Sequence, residues 1–192
     1  MAITINGTGT LTGVSVGGLP DGIVDTDMLA AKAATAPKLG NGAILQVVQT
    51  VKTDVFSTTS NGFHDIGVNV AITPSSSSNK ILIHYDCNVS GHDLSMVRLL
   101  RDSTSIGIGD AGDANMQRIT QGGQYQGGND DKVAVYSGSF LDSPSSTSSI
   151  TYKLQAYKYG GTTLRVNTPV NNSNASYTGR GISTITVMEV AA

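Results

Sequence analysis

The sequence predicts an all-β chain: an antiparallel β-sandwich, jelly-roll-like, over residues 43–192, preceded by an extended N-terminal arm with one short helix over residues 1–42. Three observations predict it. Residues 80–89 alternate strictly, with Ile81, Ile83, Tyr85, Cys87 and Val89 on one side and Leu82, His84, Asp86 and Asn88 on the other. That is the period-two pattern of a strand with one face buried and one largely wet. Beyond residue 43, about eight strand-like runs are separated by clusters of Gly, Pro, Asn and Ser with no helical stretch between them, which favours an antiparallel sandwich over a parallel α/β sheet. Finally, 23 of 192 residues are Gly and only 14% are charged, against about 25% charged in typical soluble proteins, a composition that favours turns and strands.

The arm comes first. Residues 1–20 alternate Thr and apolar residues with frequent Gly. Glycine loses the most entropy on ordering and packs nothing, so this stretch makes no stable strand alone. It is either a loose tail or an added strand that borrows hydrogen bonds from another chain. Residues 28–36 hold the helix candidate, with Asp25 or Thr26 as its cap, Asp27 in the first turn, and Pro37 and Gly40 as its stop. Two or three turns need a surface to pack on, so Met28 and Leu29 are expected to meet the sandwich or a neighbouring subunit.

The sandwich follows. Residues 43–52 predict a first strand with Leu45, Val47 and Val51 on its apolar face. Asn61-Gly62 punctuates, and residues 63–73 continue with Phe63, Ile66, Val68, Val70 and Ile72. Pro74 and four serines form a loop ahead of the 80–89 strand. Residues 94–101 and 103–108 predict two more strands. Residues 109–131, rich in Gly, Asp, Asn and Gln, read as one long irregular stretch, and loops of that length are usually functional. Residues 132–141 resume with Val133 and Val135, and residues 150–157 alternate Ile150, Tyr152, Leu154 and Ala156 with polar partners. Gly160-Gly161 is a turn, residues 163–167 a short strand, residues 171–181 a polar loop, and residues 182–190 the closing strand.

The chemistry excludes several classes. A net charge of −2 offers no basic stripe for nucleic acid, and without Trp there is little material for base-stacking platforms. No apolar run approaches the roughly 18 residues of a membrane span, and the first residues lack the basic and apolar regions of a secretory signal. Cys87 is the single cysteine, so it forms no intrachain disulfide and reads as a small buried hydrophobe. Gly13-Val14-Ser15-Val16-Gly17 matches a nucleophile elbow by letter but lacks the required strand and helix. Residues 107–112 match G-x-G-x-x-G without a helix to open at the phosphate site. His64, His84 and His92 have no helix-face metal spacing, and Asp110, Asp113, Asp130 and Asp131 lack the spacing of an EF-hand. The expectation is therefore a protein with no catalytic residues, no cofactor and no metal. The polar loops carry Tyr125, Asp130, Asn172 and Tyr177; tyrosine among amides and hydroxyls makes adaptable binding surfaces that suit sugars, and is also ordinary loop composition.

Six segments taken in order resemble a known group: VGGLPDGIVDTDMLA at 16–30, LQVVQTVKT at 45–53, ITPSSSSNKIL at 72–82, RLLRDSTSIG at 98–107, FLDSP at 140–144 and STITVMEV at 183–190. Together they are similar to structural proteins of tailed bacteriophages, particularly those infecting cyanobacteria and other aquatic bacteria, which occur as distal parts of tail fibres and as surface proteins of the head. The resemblance implies a homotrimer with a β-sandwich knob and an N-terminal anchor, made in the host cytoplasm and carried on the virion, without catalysis. The chain opens on Met with about forty residues ahead of the sandwich and no shaft, which points to a complete small capsid decoration protein more than to a tail fibre. The expected partners are its own copies and the major capsid protein. The residues expected to make those contacts are Ile3, Ile5, Leu11, Val14, Val16, Leu19, Met28 and Leu29, apolar side chains in a segment that cannot build its own core. The alternative is a short tail fibre or tailspike tip that binds host-surface glycans through the loops bearing Tyr125, Asp130, Asn172 and Tyr177.

Overall fold

A computed structural model describes residues 4–5, 11–12, 39–125 and 130–192. The chain divides into two compact units, residues 1–39 and 40–192. In the first, β1 (Thr4–Ile5) and β2 (Leu11–Thr12) pair antiparallel, Thr4 opposite Thr12 and Ile5 opposite Leu11. The expected helix at 28–36 lies outside the described residues.

The second unit is a two-sheet sandwich. Its strands are β3 (Ile44–Lys52), β4 (Phe56–Thr58), β5 (Gly62–Ile72), β6 (Lys80–Gly91), β7 (Leu94–Arg101), β8 (Thr104–Ile106), β9 (Gln121–Tyr125), β10 (Ala134–Asp142), β11 (Ile150–Tyr159), β12 (Leu164–Val166) and β13 (Ser183–Val190). The first sheet runs β3-β13-β6 with β10 on the far edge of β6; the second runs β5-β11-β7 with β9 on β7. Setting aside the three-residue strands β4, β8 and β12, the long strands therefore pair first with last and third with sixth in one sheet, and second with seventh and fourth with fifth in the other. That is the jelly-roll order. β6 is long enough to carry β13 and then β12 end to end along one edge while β10 runs along the other.

The inward faces make one core. Ile81, Ile83, Tyr85, Cys87 and Val89 of β6 are fully buried, as the alternation predicts, with Val97 and Leu99 of β7 and Tyr152, Leu154 and Ala156 of β11. Each large aliphatic side chain taken from water contributes about 1.5–3 kcal/mol. Polar clasps tie the sheets across this core. Asp142 of β10 accepts from both Arg101 Nη1, at 2.9 and 3.1 Å, and Tyr152 Oη, at 2.7 Å, from the opposite sheet. Tyr136 Oη donates to the Ser95 carbonyl at 2.7 Å. The buried carboxylate of Glu189, at the end of β13, accepts from Gln46 Nε2 at 2.6 Å, Asn79 Nδ2 at 2.6 Å, and the Ser75 N–H and hydroxyl at 2.7 Å. The serine-rich loop is thus tied down at its ends by one carboxylate.

Several expectations need correction. Residues 109–131 are not irregular throughout: β9 forms at Gln121–Tyr125 and pairs with β7 through a bulge. Its glycines and glutamines carry no apolar alternation, so an edge strand was invisible in the sequence. β4, a three-residue strand on β12, was likewise missed, and the expected 103–108 strand is shorter, at Thr104–Ile106. The largest correction concerns β3. Val47 and Val51 do not face the core, and Leu45 falls in the bulge where the pairing with β13 shifts by one residue. Val48 opposes buried Val187 on the inward side, so Val47, 57% exposed, and Val51 point outward. The inward side of β3 is mostly polar, with Gln46 bonded to Glu189 and buried Lys52 reaching Asp54 Oδ2 at 2.6 Å. Val133 and Val135 are outward too.

Candidate functional site

One end of the sandwich gathers the polar loops, and its geometry starts from Asn167. This residue ends the short β12 edge in a left-handed conformation, φ 66°, a conformation asparagine tolerates better than most side-chain-bearing residues. Its side chain is buried and fully paired. Nδ2 donates to the carbonyls of Lys52, at 2.9 Å, and Asp54, at 3.0 Å, while Oδ1 accepts from Ser183 Oγ at 2.6 Å. The backbone bonds Asn167 N–H to Asn88 O and Gly181 N–H to Asn167 O pin both ends of the 168–181 loop. Ser90 Oγ donates to the Thr168 carbonyl at 2.7 Å.

A second segment closes on this loop. The Asn171 N–H donates to the Asp130 carbonyl at 2.7 Å, and Asn171 Nδ2 donates to Asp131 Oδ1 at 2.8 Å. Asp130 Oδ1 meets His92 Nδ1 at 2.7 Å. The hydrogen bond to Asp130 raises the His92 pKa above its ordinary value, since the carboxylate favours the imidazolium.

Two adjoining clefts result. One, about 380 Å³, is lined by Thr168, Asn172, Ser173, Asn174, Thr178 and Arg180 among others. The other, about 310 Å³, is lined by Asn88, Asp131, Asn167, Tyr177 and Arg180 among others. Gly179 and Arg180 belong to both. The Tyr177 ring is 69% exposed. The linings combine hydroxyls, amides, one guanidinium, the Asp131 carboxylate, the apolar Val133 and Pro169, and one open aromatic ring, a mixture that offers a polyhydroxylated ligand hydrogen-bond partners and a flat surface for its C–H face. Of the sequence-predicted loop residues, the structure brings Asp130, Asn172 and Tyr177 to this end. Asn172 Oδ1 is engaged by Thr168 Oγ1 at 3.0 Å, and Asp130 is engaged by His92. Tyr125 has its backbone in β9, and its side chain lies outside what is described. Sequence reasoning missed Arg180, Asn88 and Thr168. Nothing in the local pattern marks them, because the loop closure that assembles them is long-range.

The arm residues fare differently. Ile5 and Leu11 lie opposite each other on the β1–β2 pair; Ile3, Val14, Val16, Leu19, Met28 and Leu29 lie outside the described residues. So does the G-x-S-x-G at 13–17. Gly107 to Gly112 follow β8 without a helix opening there. Among the described residues no three His, Cys, Asp or Glu side chains cluster to hold a metal. His84 and Asp86 stand two apart on the outward face of β6 and line neither cleft.

No protein-family model matches the chain, and no curated protein matches it. Among solved structures it is similar to that of the infectious bursal disease virus Gx strain, at 12% identity and TM-score 0.37 over 77% of this chain and 37% of that one. It is also similar to the crystal structure of the infectious bursal disease virus VP2 subviral particle, at 11% identity and TM-score 0.37 over 76% of this chain and 40% of that one. The chain spans less than half the length of either. The likeness is distant and transfers neither a site nor a role.

Proposed function

We propose that the protein is a non-catalytic structural component of a virion: a homotrimeric decoration protein on the outer surface of a bacteriophage capsid. The observation that carries this is the jelly-roll strand order, an architecture that viral capsid domains use, combined with the ordered string of segments that resembles tailed-phage structural proteins. The N-terminal unit would serve as the anchor, with Ile3, Ile5, Leu11, Val14, Val16, Leu19, Met28 and Leu29 making the contacts to the major capsid protein and to sister subunits. An extended arm buries much area per residue, and specific interfaces need upward of about 1,000 Å². Copy number tests the reading. A decoration protein is expected at hundreds of copies per particle by gel densitometry against the major capsid protein; a few dozen or fewer would refute it. Deleting residues 1–29 is expected to abolish attachment while the sandwich still melts cooperatively.

The two clefts at the loop end favour a second reading, an adhesin that binds host-surface glycans. Under it, the protein would be a low-copy fibre tip, and Tyr177→Ala with Arg180→Ala would abolish cell adsorption without changing stability. Glycan-array binding by the wild type and its loss in that variant would select this reading over decoration.

A further inference from the structure

The two outer faces of the sandwich differ in kind. On the second sheet, the middle of the outer face is an internally paired polar network. Lys153 Nζ bonds Asp65 at 2.8 Å, Gln155 bridges Asp65 and Arg98, and the Arg98 guanidinium lies 3.6 Å above the Phe63 ring. Such a face is satisfied facing water. The first sheet is the opposite. The registers place Val47 opposite Met188, Met188 opposite Leu82, and Leu82 opposite Leu141. Directly opposed residues of antiparallel strands share a face, so these four form one apolar row across β3, β13, β6 and β10. The next row outward is Gln49, Thr186, His84 and Ser139, and the one after is Val51, Thr184, Asp86 and Ser137. Across these three rows the ionisable side chains are His84 and Asp86 alone, with Lys80 at the margin opposite Val190. Val47 at 57%, Val135 at 54% and Leu141 at 47% exposure leave the apolar part uncovered by the described residues.

We propose that this face is where copies of the chain meet, each subunit laying it against a neighbouring copy. This deepens the homotrimer part of the reading above and rests on it: three copies turn this face toward a common threefold axis, so that like groups of the face meet there. Two features of the face select a second copy as the occupant. The first is charge. A surface that meets its own copy must not repel itself, and this one presents a single carboxylate beside one imidazole. Its middle row is made of an amide, hydroxyls and an imidazole, groups that each donate and accept and so complement themselves. The second is size. Four strands about 4.8 Å apart, over seven residues at about 3.3 Å each, give a projected footprint on the order of 400 Å². Side-chain relief brings the accessible area toward the roughly 800 Å² per partner of a standard interface. Apolar patches of a few hundred Å² on a soluble chain mark interaction sites.

The test is the oligomeric state of the full chain by light scattering coupled to size exclusion. Wild type is expected to be oligomeric. The double variant Val47→Lys with Leu141→Lys is expected to be monomeric and still to unfold in one cooperative transition. Asn69→Lys, on the outer face of the other sheet, is expected to leave the oligomer intact. If wild type is oligomeric and the double variant is too, the face is wrong and the homotrimer reading survives. If wild type is monomeric, both fall, including the case in which the monomer binds capsids through this face. Should the double variant fail to fold, Leu141→Gln decides by sedimentation: a dissociation constant raised at least about tenfold supports the interface, and an unchanged one overturns it.

Discussion

Glu189 offers the sharpest test of how the fold is held. Its carboxylate is buried at the end of β13 and takes four short hydrogen bonds, two of them from Ser75 and one each from Asn79 and Gln46. Burial alone would discourage ionisation. The donors from Asn79, Gln46 and Ser75 together outweigh it and hold the carboxyl below its ordinary value of 4.5. Glu189→Gln keeps the shape, removes the charge, and turns an amide toward donors. Exchanging four charge-assisted bonds, about 1.5–3 kcal/mol each, for neutral ones at about 0.5–1.5 loses about 4–6 kcal/mol, and relief of the desolvation of a buried charge offsets roughly half, which leaves a net loss of about 2–3 kcal/mol. For a unit this size that lowers the melting temperature by about 5–10 °C. The pH dependence has a definite sign. A carboxyl whose folded value is depressed contributes its full stability above its unfolded value, and the contribution disappears as pH falls through the folded value. The gap between wild type and Glu189→Gln in urea unfolding is therefore expected to be full at pH 7 and to shrink once pH drops below about 4.5. Asp54 and Asp65, whose carboxyls are also held low by hydrogen bonds from Lys52 and Lys153, titrate in both proteins and cancel in the difference. A gap under about 0.5 kcal/mol at pH 7, or one that does not narrow in acid, refutes the reasoning.

Three further outcomes are expected. Asp142→Ala removes the acceptor of Arg101 and Tyr152 between the sheets and costs about 3–5 kcal/mol by chemical denaturation, because it strands a partly buried guanidinium and a buried hydroxyl; Tyr152→Phe costs only about 1–1.5. Burial pushes the Cys87 thiol up to about 12, so native protein at pH 8 resists a thiol reagent that labels it at once in denaturant. At Gly138 an added Cβ would stand 2.8 Å from Tyr85 Oη, so Gly138→Ala destabilises by about 1–3 kcal/mol, read as a shift in the urea midpoint.

The sandwich was legible in the sequence because most of its strands obey one rule. In β6, β5 and β11 the apolar alternation faces inward, so Ile81 to Val89 and Ile150 to Ala156 announce both strand and core. The order of strands was not legible, since pairing first with last depends on contacts more than a hundred residues apart. β9 was hidden for a different reason: at an edge, main-chain hydrogen bonds to β7 suffice, and no side-chain pattern is demanded. The loop site was half legible. Asp130, Asn172 and Tyr177 stood out by residue type, but Asn167, whose buried amide fixes the loop they sit on, looks in sequence like any polar residue at a strand end.

β3 shows where the alternation rule itself is ambiguous. Period two says that one face differs from the other, and it does not say which is inside. In a monomer the apolar side can be assigned to the core by default. In β3 that default fails: the inward side carries Gln46 and Lys52, stabilised by Glu189 and Asp54, and the outward side carries Val47 and Val51. Val135 and Leu141 of β10 also face outward on the same surface, although that strand keeps Ala134 and Tyr136 in the core on its inward side. Leu82 of β6, assigned from sequence to the wet side of the chain's clearest strand, completes the apolar row between them. A strand whose apolar residues face out in isolation has its core elsewhere. Under the interface proposed here, β3 reads its alternation correctly after all, with the neighbouring subunit as the second half of its core.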